Sequence, residues 1–257
     1  MRISMIQLDV DLAEPRDDRM ARAAGLVREQ RDADLVVLPE LWPQGAFAYD
    51  GWAEQAEALD GPTVSVIGAA AREIGSLVHA GSIVERAADG RLYNTSVLVG
   101  PDGSIRATYR KIHRFGFSEG EAELLSPGDE VVTHETAFGV LGFATCYDLR
   151  FPEQFRKLLD RGAEILLVPA AWPARRIAHW RLFARARAVE NQMFVVACNT
   201  TGIQREVLLG GHSVVVDPWG DAVAEAGAGE EVLTAELDTA LVAKTRESFP
   251  VLPDRRL

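Results

Sequence analysis

Four short apolar runs, each followed at once by polar or proline-marked residues, constrain the fold of this chain more than any other feature. They span residues 35–38, 140–144, 165–168 and 194–197. Such runs, alternating with amphipathic stretches, are typical of buried strands in an α/β protein. Because ligand-binding groups collect at the carboxyl ends of such strands, the residues that follow the four runs are the first candidates for a functional site.

The remaining segments predict helices and antiparallel strands. Helices are expected near residues 17–30, 62–74, 152–161 and 176–190. Residues 77–85, 92–99 and 105–110 are separated by Asp-Gly turns and predict an antiparallel meander, and 213–216 and 232–237 predict two further strands. The sheets should therefore mix parallel and antiparallel strands. The longest irregular segment, residues 112–129, has the length of a functional loop.

Size, composition and charge narrow the class of protein. With 257 residues, 47% of them apolar, the chain can bury a large core, and no linker or internal repeat divides it, so we predict one domain over residues 1–257. A net charge of −11 disfavours nucleic acid as a partner. No stretch approaches the ~20 apolar residues of a membrane span, and the N-terminus lacks a signal-peptide core. We expect a cytoplasmic protein without a membrane partner.

The two cysteines, Cys146 and Cys198, are too few for a disulfide framework. Neither they nor the five histidines show the spacing of a metal site. Each cysteine has to be interpreted alone, and a buried structural thiol is the usual case.

Three segments carry residues suited to catalysis. Glu40 directly follows the apolar run 35–38, where a carboxylate can act as a general base, although a solvated glutamate at a strand end is the plainer interpretation. Lys111 lies in the segment Tyr-Arg-Lys-Ile-His at the end of the meander, a pattern that an exposed cationic turn also produces.

Cys146 ends an apolar strand, and Pro152 then opens a helix. This pattern predicts a strand-to-turn elbow, which makes a nucleophile accessible and presents backbone N–H groups to an oxyanion. Asp148 and Arg150 follow closely; they could tune the site, but a buried ion pair that holds the elbow is the favoured interpretation. Cys198 also ends a strand, but no helix-opening proline follows it, and it is interpreted as a packed thiol near the pocket.

These segments, Leu-Pro-Glu40, Tyr-Arg-Lys111-Ile-His and Cys146-Tyr-Asp-Leu-Arg-Phe-Pro-Glu, resemble in order and separation the three catalytic motifs of the nitrilase superfamily of carbon–nitrogen hydrolases. The resemblance implies a four-layer α-β-β-α sandwich, a homo-oligomer that is most simply a dimer, and no metal or organic cofactor. It also implies that Glu40 is the general base, Lys111 stabilises the oxyanion and Cys146 is the nucleophile. Glu121 matches a second glutamate that many members carry near the triad, although Glu119 and Glu123 flank it.

The chemistry of these groups is consistent with the resemblance. Cys146 would attack an amide carbon after losing its proton to Glu40, and the oxyanion would lie between Lys111 and the backbone N–H of Tyr147. A thioester would then be hydrolysed by water, with Glu121 orienting the substrate or that water. Aromatic residues near the strand ends are candidates for the pocket walls, namely Trp42, Tyr49, Phe115, Phe117 and Trp172.

The segment from Trp172 to Trp180 resembles the branch of ω-amidases and 2-oxoglutaramate amidases. We therefore expect a small primary amide that carries a carboxylate, with Trp172, Arg175 and Arg176 as candidate substrate-binding residues, and alternatively two arginines that lie in solvent or at the following helix. An N-carbamoyl amine or amino-acid amidohydrolase, a deaminated-glutathione amidase, a nitrilase and a catalytically silent interaction module remain alternatives. A papain-like cysteine hydrolase is disfavoured because its Cys-Gly-Ser-Cys-Trp signature is absent.

Overall fold

The computed structural model of the protein describes residues 1–256. Its strands are β1 Arg2–Gln7, β2 Leu35–Val37, β3 Leu77–Arg86, β4 Leu92–Val99, β5 Ile105–Arg110, β6 Thr133–Thr136, β7 Gly139–Phe143, β8 Ile165–Ala170, β9 Phe194–Asn199, β10 Ile203–Gln204, β11 Val207–Leu208, β12 Val214–Val216, β13 Ala222–Glu225 and β14 Glu231–Glu236. Its helices are α1 Arg16–Arg28, α2 Trp52–Gln55, α3 Pro62–Ile74, α4 Glu121–Leu124, α5 Pro152–Asp160, α6 Ile177–Asn191 and α7 Ala240–Ser248.

Two six-stranded sheets carry the fold, in the orders β14-β1-β2-β3-β4-β5 and β13-β12-β9-β8-β7-β6. Each has three adjacent parallel strands, β1-β2-β3 in one and β7-β8-β9 in the other, flanked by antiparallel neighbours. The predicted mixture of strand directions is therefore confirmed. Strands β10 and β11 form a separate small hairpin.

The core residues define four layers. The first sheet packs its outer face against α1 and α3, through residues such as Val27 and Ile67. The second sheet packs its outer face against α5 and α6, through residues such as Phe155 and Ala184. Between the sheets lies a third apolar layer, to which both contribute, for example Met5 and Leu167. The predicted α/β class with an α-β-β-α sandwich is confirmed.

Local sequence explains the best-predicted elements. Helix α3 begins with Pro62 in its first turn and ends before Gly75, whose φ of 69° lies in the left-handed region that glycine adopts readily. The boundaries of α3, β4 and β5 coincide with the predicted ones. The sequence patterns do not predict β6, β13 or α7, which are short or only partly buried.

Strand direction positions the functional residues. The carboxyl ends of β2, β7 and β8 point to the same end of the sandwich, where Glu40, Cys146 and Trp172 follow them. Strand β5 ends one residue before Lys111 at this end. Among residues 1–256, no helix has the length and apolar character needed to cross a bilayer.

Candidate active site

Cys146 occupies the predicted elbow. Strand β7 ends at Phe143, and Cys146 opens a 3-10 turn, Cys146–Arg150, that leads into α5. The φ of Cys146 is 46°, a left-handed conformation that costs a non-glycine residue about 1–2 kcal/mol. Tyr147 is the second residue of the turn, and the first backbone N–H groups of a helical turn have no acceptor within it. The backbone N–H of Tyr147 is thus free to donate a hydrogen bond to an oxyanion, as the predicted role requires.

The thiol is less accessible than predicted. Only 8% of Cys146 is exposed, because the side chain lies at the inner end of a cavity and not at the surface. Burial and then the neighbouring charge of Glu40 raise the pKa of Cys146 well above its ordinary value, against the opposing effect of Lys111. The resting form at neutral pH is therefore the protonated thiol.

Asp148 holds the elbow, but not through the predicted ion pair with Arg150. Its Oδ2 accepts hydrogen bonds from Tyr109 Oη at 2.7 Å and from the backbone N of Thr145 at 2.8 Å. Its Oδ1 accepts from the backbone N of His113 at 3.0 Å and lies 2.8 Å from His113 Nδ1. The prediction of an Asp148–Arg150 pair is wrong because donors from the end of β5 and the following loop occupy both oxygens of Asp148.

Glu40 is buried at the end of β2, with 3% of its surface exposed. Its Oε1 accepts from Lys111 Nζ at 2.7 Å and from Asn94 Nδ2 at 2.8 Å. Its Oε2 accepts from the backbone N of Ala171 at 2.9 Å, and its charge adds to the effect of burial in raising the pKa of the Cys146 thiol. A solvated glutamate is excluded by this burial.

Lys111 lies between two carboxylates. Besides Glu40, its Nζ donates to Glu121 Oε2 at 2.6 Å, and only 2% of its side chain is exposed. Burial alone would lower the pKa of Lys111, but the charges of Glu121 and Glu40 outweigh burial and raise it well above its ordinary value. The ammonium is therefore permanent, and an exposed cationic turn is excluded.

Glu121, and not its acidic neighbours, joins the site. Its Oε1 accepts from Asn94 Nδ2 at 2.6 Å, and its Oε2 accepts from the backbone N of Phe115 at 2.7 Å as well as from Lys111. Burial raises the pKa of Glu121, with a further contribution from Glu40, while Lys111 lowers it. Glu119 and Glu123 are exposed.

The cavity above Cys146 has a narrow inner part of about 30 Å³ and a wider vestibule of about 820 Å³. Four of the five predicted wall residues line one or both parts, namely Tyr49, Phe115, Phe117 and Trp172. Trp42 does not, because it is fully buried in the core and its Nε1 donates to the backbone O of Ala80. The inner part therefore admits only a small reacting group.

The two arginines that were predicted to bind substrate, Arg175 and Arg176, line different parts of the cavity. Arg176 lines the inner cavity together with Cys146, whereas Arg175 is exposed and lines only the vestibule. Arg150, which was predicted to pair with Asp148, also lines the inner cavity. Trp172 lies beside them, with its Nε1 donating to the backbone O of Arg176 at 2.8 Å.

Cys198 is buried between the sheets, and its Sγ donates to the backbone O of Val37. Its interpretation as a packed thiol agrees with this position, but it does not line the cavity. His79 is fully buried and His113 stacks on Phe151. Within the described part of the chain, no three side chains among His, Cys, Asp and Glu are grouped so as to hold a metal ion.

Sequence reasoning missed Asn94 and favoured the wrong role for Arg150. Asn94 lies within β4, and its single amide nitrogen bridges both buried carboxylates. The sequence gives no signal that singles out Asn94, because Thr95 and Ser96 follow it in the same strand and are also buried. Arg150 was named only because it lies close to Asp148 in the sequence.

Comparisons with known proteins agree with the motifs. A family model for carbon-nitrogen hydrolases matches residues 2–247. The chain is 47% identical to a 2-oxoglutaramate amidase of Paenarthrobacter nicotinovorans, over 99% of this chain and 89% of that protein. It is 36% identical to an omega-amidase of Mus musculus, over 99% and 95%. A crystal structure from Saccharomyces cerevisiae, described as a member of branch 10 of the nitrilase superfamily, superposes with a TM-score of 0.90 at 33% identity, over 100% and 97%. The predicted family resemblance is confirmed.

Proposed function

Because the chain belongs to the carbon-nitrogen hydrolase family and is a hydrolase of C–N bonds, we propose that it is a cysteine-dependent amidase that converts a small carboxylate-bearing primary amide to acid and ammonia. One observation carries the proposal: Cys146, Glu40, Lys111 and Glu121 line the same buried cavity. Nucleophile, base and cationic oxyanion donor therefore face one reacting group.

In the proposed acylation step, Cys146 starts as a thiol, so it needs a base that acts during the attack. Glu40, which lines the same cavity and whose charge acts on the thiol, takes its proton as Sγ bonds to the amide carbon. The carbonyl electrons move to oxygen, which is stabilised by Lys111 Nζ and the backbone N–H of Tyr147. When the oxyanion collapses, the C–N bond breaks and Glu40 returns the proton to the departing nitrogen, releasing ammonia and leaving a thioester.

Deacylation uses the same groups. Glu40 removes a proton from water as the water oxygen attacks the thioester carbon, and Lys111 and Tyr147 again stabilise the oxyanion. The C–S bond then breaks, Cys146 recovers its proton from Glu40, and the acid leaves. Glu121 accepts a second hydrogen bond from Lys111 Nζ and takes no proton in this scheme.

Substrate class is supported by two kinds of observation. Relatives at 47% and 36% identity are a 2-oxoglutaramate amidase and an omega-amidase, both named for ω-amides. The inner cavity is narrow, which suits a terminal primary amide better than a substituted one. We therefore propose that substrates resemble 2-oxoglutaramate or succinamate.

The test is an ammonia-release assay on a panel of small ω-amides, carbamoyl amino acids and nitriles. We expect the ω-amides to give the highest kcat/KM. Cys146→Ala should abolish turnover, whereas the matched control Cys198→Ala should retain it, because the Cys198 thiol is packed between the sheets and away from the cavity. Faster turnover of carbamoyl amino acids or nitriles, or an active Cys146→Ala variant, would refute the proposal.

We also propose a homo-oligomer, most simply a two-fold dimer. An exposed apolar surface on and beside α6 supports it: Leu182, Val189, Trp219 and Phe249 are about half exposed or more, with relative exposures of 61%, 48%, 50% and 55%. Light scattering should give at least twice the 28.0 kDa chain mass at micromolar concentration, and a monomer mass would contradict this.

The two unpaired cysteines support the proposed cytoplasmic location, where thiols stay reduced.

A further inference from the structure

Strand β9 ends in a fully buried amide that the proposed mechanism does not use. Asn199 is the last residue of β9, and none of its surface is exposed. We propose that Asn199 is a positioning residue that fixes Ala171 and, through Ala171, the base Glu40, an inference that rests on the proposed function. Asn199 is not among the residues that line the cavity, so it acts through the residues that it binds.

The segment that follows β8 leaves the sheet but stays buried. The parallel ladder between β8 and β9 ends at the pair of Ala170 and Asn199. Beyond this pair, Ala171 and Trp172 are 3% and 2% exposed, and both line the inner cavity. Their backbone polar groups have lost the strand partner, and a buried backbone group without a hydrogen bond is costly. These groups therefore need partners from elsewhere.

The Asn199 amide takes the place of the missing strand partner. Its Oδ1 accepts from the backbone N of Trp172 at 2.6 Å, and its Nδ2 donates to the backbone O of Trp172 at 3.3 Å. Nδ2 also donates to the backbone O of Gly211 at 2.7 Å. Asparagine suits this position because one carboxamide supplies an acceptor and two donors.

Asn199 is itself anchored to both sheets. It belongs to β9 of the second sheet, and its backbone N donates to Ser213 Oγ at 2.9 Å. Ser213 Oγ in turn donates at 2.9 Å to Oε1 of Gln7, which lies in β1 of the first sheet. The amide therefore ties the residues that line the cavity to the rigid centre of the sandwich.

The peptide group next to this contact holds the base. Ala171 donates its backbone N–H to Glu40 Oε2 at 2.9 Å. The oxygen of the same peptide group, that of Ala170, accepts from the backbone N of Thr200 at 3.1 Å. The peptide group between residues 170 and 171 is thus fixed by Thr200, and the one between residues 171 and 172 is fixed by Asn199.

Loss of the Asn199 amide would leave the Trp172 N–H buried without an acceptor. Rotation about the backbone bonds of Ala171 would bring this N–H to another acceptor, and the same rotation would turn the Ala171 N–H away from Glu40. A general base has to lie within hydrogen-bond distance of the proton that it removes. The displacement should therefore lower the rate of the chemical step more than it weakens substrate binding.

The first experiment compares kcat and KM on succinamate in wild type, Asn199→Ala and Asn191→Ala. Asn191 is the matched control because it is also a fully buried asparagine that donates to a backbone O, that of Arg187, but it lies at the end of α6. Both variants lose a buried hydrogen bond and should have a lower Tm.

We expect Asn199→Ala to lower kcat about tenfold or more while KM changes less than about threefold, whereas Asn191→Ala should keep kcat within about threefold of wild type. A wild-type kcat in Asn199→Ala, or an equal fall in both variants, would overturn the proposal.

Asn199→Asp adds a pH readout that a loss of stability would not produce. The partners of the Asn199 amide are uncharged backbone groups, so burial favours the neutral acid at this position. The neutral acid can accept from Trp172 and donate to Gly211, whereas the carboxylate can only accept. Relative to wild type, the Asp variant should therefore lose kcat about tenfold or more as the pH rises from about 6 to about 9.

An Asp variant whose kcat follows that of wild type over this pH range would overturn the proposal. The Asp variant also carries the test if Asn199→Ala shows no melting transition.

Crystal structures of the variants separate this proposal from the proposed function, because they need no turnover. The distance from Ala171 N to Glu40 Oε2, 2.9 Å with Asn199 in place, should exceed about 3.5 Å in Asn199→Ala, or in Asn199→Asp at about pH 9, and stay unchanged in Asn191→Ala. An intact contact in the Asn199 variants would overturn the positioning role. If the contact breaks as expected but wild type hydrolyses none of the amides, the proposed function fails and the positioning of Glu40 by Asn199 stands.

Discussion

Asp148→Asn tests whether one buried carboxylate ties the lysine segment to the cysteine elbow. The substitution is nearly isosteric, so it creates no cavity, but it replaces an oxygen acceptor with an NH₂ donor. Asp148 Oδ2 faces the backbone N–H of Thr145 and Oδ1 faces that of His113. Whichever way the new amide is oriented, its NH₂ group meets one of these backbone donors.

The magnitude follows from that conflict. His113 Nδ1, the other partner of Oδ1, can change its tautomer, but a backbone N–H cannot reverse its direction. Tyr109 Oη, the other partner of Oδ2, already accepts from the backbone N of Ile112 and from Gln154 Nε2, so it too can only donate to residue 148. Leaving one buried donor unsatisfied costs about 1–3 kcal/mol, and losing a charged acceptor for the remaining donors adds about 1 kcal/mol. We expect a destabilisation of about 2–4 kcal/mol, which for a chain of this length lowers Tm by about 4–8 °C.

Thermal unfolding followed by circular dichroism measures the Tm. The kcat/KM on succinamate measures how far a displacement of the Cys146 elbow lowers activity. Asp102→Asn is the matched control, because Asp102 also accepts a backbone N–H, that of Ser104, but in an exposed turn where water can replace it. The control should stay within about 0.5 kcal/mol of wild type. A change below about 1 kcal/mol in Asp148→Asn would refute the reasoning, since two unadjustable donors would then tolerate an NH₂ group.

Two further predictions concern other buried groups, and a third concerns metal ions. Glu40→Gln should lower kcat by about 10²-fold or more, because an amide cannot accept the thiol proton. The control Glu123→Gln changes an exposed glutamate and should retain wild-type kcat. Activity of Glu40→Gln within about tenfold of wild type would remove Glu40 from the mechanism. Burial lowers the pKa of His79 to about 3, so the unfolded chain binds a proton there that the folded chain does not, and stability falls as pH drops below about 6.5. Between pH 7.5 and 5.0 wild type should lose about 2 kcal/mol more unfolding free energy than His79→Gln, as measured by urea titration, and equal losses would contradict the assignment. Exhaustive chelation should leave kcat unchanged, and activity lost on chelation and restored by zinc would contradict a cofactor-free mechanism.

The parts of the site that the sequence predicts are those fixed by strand direction. Glu40 and Cys146 each follow an apolar run, and the carboxyl ends of parallel strands necessarily share an edge of their sheet. The sandwich brings these two edges together, so a local pattern was enough to locate both residues. Trp172 follows β8 by the same rule.

Residues whose surroundings come from distant segments could not be predicted in this way. Whether Lys111 is buried depends on Glu40, which is 71 residues away in the sequence, and the pattern around Lys111 is equally compatible with a solvated turn. Asn94 bridges residues 54 and 27 positions away. Arg150 was misassigned because its proximity to Asp148 in the sequence suggested an ion pair between them. The direction of the Arg150 side chain depends instead on distant aromatic rings such as Trp172, over which its guanidinium lies.

The two buried glutamates have comparable hydrogen bonds, yet their contacts assign them different roles. Each accepts from Lys111, from Asn94 and from one backbone N–H. Of the two, only Glu40 adds by its charge to the effect of burial in raising the pKa of the Cys146 thiol. In the proposed mechanism the proton of Cys146 therefore passes to Glu40 and not to Glu121. Glu121 contributes the second negative charge that helps hold Lys111 as an ammonium, because burial alone would act to deprotonate it. In the proposed mechanism, an ammonium shared between two carboxylates keeps a fixed position while Glu40 gains and loses a proton, and its role as oxyanion donor needs that fixed position in both halves of the reaction.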